Sequence, residues 1–258
     1  MHSTEEKLKA FERLLEIMDE LREKCPWDRE QTLDTLRNLT IEETYELADA
    51  IMEQDLNEIR KELGDLLLHI VFYAKIGSEK GAFDIADVLN GINKKLVFRH
   101  PHVFADREVK DSGEVIENWE ELKMKEGNRS VLAGVPVSLP ALIKSHRIQD
   151  KARAVGFDWD QREQVWDKVI EEINEVQHEL EKGQEKERME DEIGDLLFSI
   201  VNAARLYDIE PETALERTNR KFIKRFQYLE KKALEAGRSL KEMSLQEMEA
   251  IWQEAKSI

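Results

Sequence analysis

An all-α fold built as two tandem helical-bundle domains is what this chain predicts, and three observations carry it. Apolar residues recur at spacings of three and four along most of the 258 residues. No stretch alternates strictly between hairpin turns, and eleven glycines with five prolines are too few for a turn-rich β fold. A carboxylate phrase, KELGDLL at 61–67, returns as DEIGDLL at 191–197.

Taken in order, Leu8, Phe11, Leu14, Leu15, Met18 and Leu21 place a first helix that should stop before Pro26. Further helical patterns run over 38–54, 56–77, 84–98, 114–126, 139–154, 162–181, 187–207, 211–236 and 244–256. Residues 127–140, GNRSVLAGVPVSLP, hold both Gly and Pro and lack a helical stripe. They are expected to link a domain at 1–126 to a domain at 141–258. The halves match in order: IEETYELADAI (41–51) with IEEINEVQHEL (170–180), KELGDLLLHIVFYAK (61–75) with DEIGDLLFSIVNAAR (191–205), INKKLVFR (92–99) with TNRKFIKR (218–225), and NWEELK (118–123) with IWQEAK (251–256). Four matches at a nearly constant offset of about 130 residues argue for an internal duplication, with the drift left to loop insertions.

Composition narrows the function classes. With 39 basic and 56 acidic residues the net charge is −17, which disfavours direct nucleic-acid binding and attachment to an anionic membrane. The single cysteine, Cys25, cannot form an intrachain disulfide and suits a reducing, cytoplasmic setting. The N-terminal segment is charged and amphipathic, without the apolar region of a secretory signal, and no run approaches a membrane span. A soluble cytoplasmic protein is expected.

The chemistry sits in the repeated carboxylates. Glu172 and Glu175 are three apart, as are Glu192 and Asp195, so each pair shares a helix face; Glu43, Glu46, Glu62 and Asp65 repeat the set. One such pair alone is ordinarily a solvated face, tolerating only about 0.2–0.5 kcal/mol of repulsion. Three features weigh against that here. The segments after the second pair, Leu66–Ala74 and Leu196–Ala204, are apolar nearly all round and should be buried centrally. Gly64 and Gly194 each cost about 1 kcal/mol in a helix, a cost explained by close approach of a neighbouring helix or a ligand. Both pairs recur in both halves. Converging carboxylates need a cation, and oxygen-only ligands suit Mg²⁺, with Mn²⁺ as a substitute. A di-iron bundle, which pairs histidines with its glutamates at i, i+3, and a calcium loop, with its glycine and alternating acidic residues, are both set aside. His69 reads as a packed or hydrogen-bonded histidine, and His100 and His102, flanking Pro101, as turn residues.

Mg²⁺ on a few carboxylates commonly completes its shell with water and substrate phosphate. Lys168 and Arg188 each lie four residues before a carboxylate, and Lys221 and Arg225 form a further pair. Together they supply the positive charge a triphosphate requires. Trp252 reads either as a base-stacking surface or as a core residue.

EExxE followed by ExxD inside E-[LI]-G-D-L-L resembles the all-α nucleotide pyrophosphohydrolase superfamily. With CPWDREQT (25–32), RHPHVF (99–104), SLPAL (138–142), VGFDWD (155–160) and two tandem units, the chain is similar to the MazG family across essentially its whole length. That resemblance implies MazG-like helical bundles acting as a homodimer, and Mg²⁺-dependent hydrolysis of a broad range of nucleoside triphosphates to monophosphate and diphosphate, a possible house-cleaning of the nucleotide pool. It also implies Glu172, Glu175, Glu192 and Asp195 as metal ligands, and Lys168, Arg188, Lys221, Arg225 and Trp252 as nucleotide contacts. Glu171 or Glu175 would accept the proton of the attacking water. The first half keeps Glu43, Glu46, Glu62 and Asp65 as a second metal site, with Lys95, Arg99 and Trp119 in corresponding places, but Leu39 stands for Lys168 and Glu58 for Arg188. The second half is therefore expected to carry most of the hydrolysis. The alternatives are an acidic dimeric adaptor without catalysis, and a hydrolase specialised for dUTP or an alarmone.

Overall fold

The computed structural model describes residues 1–105, 115, 130–183 and 186–256. Among these residues every regular element is helical, and the chain divides into two compact units, Met1–Glu108 and Val109–Ile258. No helix among them is long and apolar enough to cross a membrane.

The first unit holds α1 (Thr4–Lys24), α2 (Pro26–Glu30), α3 (Leu33–Glu53), α4 (Leu56–Glu79), α5 (Ile85–Arg99) and α6 (Pro101–Phe104). Ser3 caps α1 in a capping box with Glu6, and Asp55 caps α4 by accepting from the backbone N–H groups of Asn57 and Glu58. Pro26 ends the first helix as expected, but it also opens the short α2, where proline needs no N–H partner. Pro101 likewise opens α6, so the segment read as a turn around His100 and His102 is a single helical turn. The expected start of α3 at residue 38 moves to Leu33, because Thr32 and Thr35 form a capping box ahead of the apolar stripe.

Helices α3 and α4 form a hairpin joined through Gln54, in the left-handed region at φ 57°, and Asp55. Its core gathers Met18, Leu36, Val71, Phe72 and Ile76, with Leu39 and Tyr73 packed against them. Arg22 fastens α1 to the end of α4. It donates from Nε to Glu79 at 2.9 Å and from Nη1 to the carbonyls of Asp28 and Gln31 in the CPWDREQT segment. That segment is therefore structural, and the Arg22 bond holds the Glu79 carboxyl below its ordinary range.

The second unit holds α7 (Ala141–Arg153), α8 (Val165–Lys182), α9 (Lys186–Leu206), α10 (Pro211–Glu235) and α11 (Leu245–Ala255), with single 3₁₀ turns at Arg162–Gln164 and Leu240–Glu242. Gly183, at φ 59°, ends α8 in the left-handed conformation that closes many helices. Val165 and Val169 pack with Ala203, Leu196 and Leu206. Residues 130–140 form turns tied to α7, with Lys151 donating to the Val131 carbonyl at 3.0 Å and Lys144 to that of Val137. The expected helix at 114–126, with Trp119, and linker residues 127–129 lie outside the described residues, apart from Val115.

One expectation needs correction. The apolar segments are not buried all round within a unit. Val71, Phe72, Ala74 and Ile76 are buried, while Leu63, Leu67 and Ile70 are exposed; Val201 and Ala203 are buried, while Ile193, Leu197, Phe198 and Ile200 are exposed. A hairpin packs one face of each helix, and among the described residues of its own unit no layer covers the other face of α4 or α9.

The last helix gives a pH prediction. Ser244 caps α11, and Glu247 closes the box while accepting from Arg238 Nη1 at 2.6 Å. These bonds pull the Glu247 pKa down to about 2 from the ordinary 4.5. A depressed carboxylate stabilises fully above the unfolded pKa and loses that contribution as pH falls through the folded one. Acid titration of wild type and Glu247→Gln should therefore differ in unfolding midpoint above pH 4.5 and converge as pH approaches 2; identical profiles throughout would refute the assignment.

Candidate metal centres

Each hairpin brings one carboxylate from its first helix to two from its second. Ligand oxygens of Glu43, Glu62 and Asp65 lie within 4.8 Å of one another, and so do those of Glu172, Glu192 and Asp195. The helical period explains both: Glu62 and Asp65, or Glu192 and Asp195, share a face of α4 or α9, and that face meets the glutamate of the preceding helix. Glu46 and Glu175 lie outside the two groups of three but next to them. The Glu46 charge adds to those of Asp65 and Glu62 on Glu43, whose pKa is pushed up first by burial and then by these neighbours. Desolvation and the adjoining Glu172 carboxyl likewise push Glu175 up.

Glu62 is 3% and Glu172 4% exposed, and in each the Oε2 atom is buried without a hydrogen-bond partner. An unpaired buried carboxylate oxygen costs about 1–3 kcal/mol or more. Beside two further carboxylates it suits a hard divalent cation, since the donor set is all oxygen. The residues therefore fit Mg²⁺ or Mn²⁺. Glu175 and His178 do show a Glu-x-x-His spacing, but His178 is exposed, lies outside the group, and has Asp49 as its counterpart.

The other Oε of each buried glutamate is neutralised by a lysine. Lys168 sits 2.7 Å from Glu172 Oε1 and 2.9 Å from Glu171 Oε1. In the first unit Lys61 sits 2.9 Å from Glu62 Oε1 and 3.4 Å from Glu58. Both ammonium groups have pKa values raised by these bonds. Lys61 escaped the sequence reading because neighbouring helix positions do not face each other; its long side chain nevertheless reaches Glu62. Leu39, the counterpart of Lys168, packs against the first core instead.

Among the described residues, no hydrogen bond or ion pair joins Arg188, Lys221 or Arg225 to the second triad. Arg188 lies one turn before Glu192 on α9, while Lys221 and Arg225 lie on α10. Trp252, half-buried on α11, packs against Phe222 with ring centroids 5.0 Å apart, which places it beside the helix carrying Lys221 and Arg225. Lys95 is exposed on α5, with Arg99 at the end of that helix.

Gly64 and Gly194 do not mark a close helix contact within a unit: a Cβ built on either meets nothing within 4 Å. Both lie beside the exposed apolar residues of α4 and α9. Beneath Asp65, His69 is buried as expected, its Nδ1 2.7 Å from Thr40 Oγ1, which is also 2.7 Å from the Tyr73 hydroxyl. Burial holds the His69 pKa below its usual value. The corresponding residues in the second unit are Val169, Ser199 and Ala203.

The VGFDWD segment also has a structural role. Arg205, near the end of α9, donates from Nη1 to Asp158 Oδ2 at 3.0 Å and from Nη2 to Asp158 Oδ1, and from Nε to Asn202 at 3.0 Å. Burial would raise Asp158, but the Arg205 bonds outweigh it and hold the carboxyl below its ordinary range.

Two segments, residues 31–104 and 161–229, match the family described as the MazG nucleotide pyrophosphohydrolase domain, together more than half of the chain. Over 257 residues, 96% of this chain and 98% of the other, it is 43% identical to the nucleoside triphosphate pyrophosphohydrolase of Escherichia coli K12. It is 41% identical over 251 residues, 95% of each chain, to the nucleoside triphosphate pyrophosphohydrolase/pyrophosphatase MazG of Thermotoga maritima. The Bacillus subtilis protein YabN shares 46% identity over 98% of this chain and 53% of its own.

Proposed function

The chain belongs to the MazG nucleotide pyrophosphohydrolase family, and from that premise we propose that its second unit hydrolyses nucleoside triphosphates to the monophosphate and diphosphate. The observation that carries this reading is the buried Glu172, one oxygen held by Lys168 and the other unpaired beside Glu192 and Asp195. A divalent cation, Mg²⁺ or Mn²⁺, held by these three carboxylates would supply water activation and neutralisation of the leaving diphosphate.

The chain's own residues complete the assignment. Lys168 presents positive charge at the triad, while Glu171 holds its ammonium in place. Glu175, outside the ligand group and with a raised pKa, is the proton acceptor for the attacking water, because Glu171 is already engaged by Lys168. Arg188, Lys221 and Arg225 contact phosphate oxygens, and Trp252 stacks on the base. A stacking surface reads the face of a base and not its hydrogen-bonding edge, which supports broad specificity and a house-cleaning role in the cytoplasm.

Diphosphate release over a panel of nucleoside triphosphates, with Mg²⁺ and with EDTA, tests the reading. Turnover on several bases that EDTA abolishes is expected. Turnover on dUTP or an alarmone alone would replace it with a specialised hydrolase, and none at all would favour an acidic adaptor.

The exposed apolar faces of α4 and α9 support a homodimer in which a second copy supplies the missing layer. Gly194→Ala should test it. Open space and helix propensity favour alanine by about 1 kcal/mol within one chain, whereas the added methyl crowds a packed dimer face. A dimer that dissociates at higher concentration in sedimentation, with unchanged helicity, is expected; an unchanged dissociation constant would count against that face.

A further inference from the structure

We propose that α10 carries a docking surface for single-stranded nucleic acid, built from a row of basic side chains around Tyr228, on a helix that holds no member of a carboxylate triad. The net charge of −17 that disfavours nucleic acid is an average over the chain, and α10 departs from it. Residues 217–232 hold 7 of the 39 basic residues and only one of the 56 acidic ones, Glu230.

Spacing makes these charges a surface. Arg217, Lys221, Lys224, Tyr228 and Lys231 recur at intervals of four and three, which sets them in one row along the helix. The four cations are exposed and Tyr228 is half-buried, while Leu229 and Ala233 are buried on the opposite side. At 1.5 Å per residue the row is about 21 Å long. Glu230 falls well round the helix from it, and Glu216, also off the row, is engaged by Arg220 at 3.0 Å. Lys221 is the one member shared with the triphosphate contacts proposed above.

A cavity beside the row indicates the ligand class. A notch of about 240 Å³ is lined by Lys224, Gln227, Tyr228, Lys231 and, from α11, Ala255. That is below the roughly 300–1,000 Å³ of a cleft enclosing a drug-sized molecule, and it suits one planar base. Tyr228 is its aromatic wall. The ring is held by its hydroxyl, which donates to Glu254 at 3.5 Å, and by the Lys232 ammonium, 5.4 Å from the ring centre. Ammonium groups on either side of an aromatic wall suit a strand that presents phosphates and bases in alternation, since lysine binds phosphate as a point charge and a ring stacks on any base. An acidic peptide would use the lysines and leave the ring idle. A stacked strand advancing about 3.4 Å per nucleotide covers the row in about six nucleotides.

The test uses the full chain and fluorescein-labelled 12-nucleotide RNA and DNA strands, followed by anisotropy in EDTA so that no metal bridges phosphate to the carboxylates. Binding at about 50 mM salt is expected, with log Kd rising against log salt at a slope near 3, about 0.7 for each of four phosphate contacts. The stronger-bound of the two strands assigns the sugar. Lys224→Ala with Lys231→Ala should weaken binding about tenfold or more and lower the slope by about 1.4, with triphosphate turnover unchanged. Tyr228→Ala should weaken the strand about fivefold or more but not inorganic polyphosphate, and Tyr228→Phe should bind like wild type. Absence of binding at that salt, or a slope unmoved by the double variant, overturns the inference. So does polyphosphate or polyglutamate competing as well as unlabelled strand at equal charge, which makes the row a general anion surface. A parallel fall in triphosphate turnover in the double variant also overturns it, by returning both lysines to the triphosphate site.

Discussion

Glu172→Ala is expected to lower nucleoside triphosphate turnover by roughly a thousandfold, about 4 kcal/mol of transition-state stabilisation, with the helical content of the chain unchanged. The loss should appear in kcat and kcat/KM together, because the side chain serves charge that develops during reaction. Asp195→Ala should behave similarly. Both residues sit in one cluster, so the double variant should lose little more than either single one. Near-normal turnover by Glu172→Ala or Asp195→Ala, measured as diphosphate release at saturating Mg²⁺, would sink the assignment of the second triad. Lys168→Ala offers a graded comparison, since it frees Glu172 Oε1 while leaving all three carboxylates in place.

The largest stability effect is expected at Asp158, which lies in a segment whose sequence suggests function. Its carboxylate takes two guanidinium bonds from Arg205, whose side chain is 4% exposed. Asp158→Ala leaves that cation buried with Asn202 as its one remaining hydrogen-bond partner among the described residues, and removing one partner of a buried pair costs about 3 kcal/mol or more. The unfolding transition of the second unit should drop by roughly 6–12 °C. Replacing both partners, Asp158→Ala with Arg205→Met, should recover much of the loss, because the charge leaves with its partner. A single variant within about 1 kcal/mol of wild type would show that water satisfies Arg205 instead.

Helix positions were legible because apolar spacing and capping residues are local, and nearly every described helix falls within a few residues of its pattern. The short turns at Pro26–Glu30 and Pro101–Phe104 were not, since proline signals both an end and a beginning. The carboxylate spacing brought Glu43, Glu62 and Asp65 to one place, and Glu172, Glu192 and Asp195 to another. What the spacing could not supply was the lysine of the first unit. Matching the halves column by column finds Leu39 for Lys168 and records a lost cation, whereas Lys61 restores it from the next helix. Burial was overread for a similar reason: an all-round apolar helix requires cover on two faces, but the sequence does not say whether its own unit provides both.

Gln54 and Asp55 between α3 and α4, and Gly183 at the end of α8, have a consequence for folding. Each triad joins residues only about twenty positions apart, so its assembly closes a short loop at small entropic cost. Contacts of low sequence separation form quickly. Each triad can therefore take shape as its own hairpin zips, before the longer-range packing of α1 on α4 or α7 on α9 is complete.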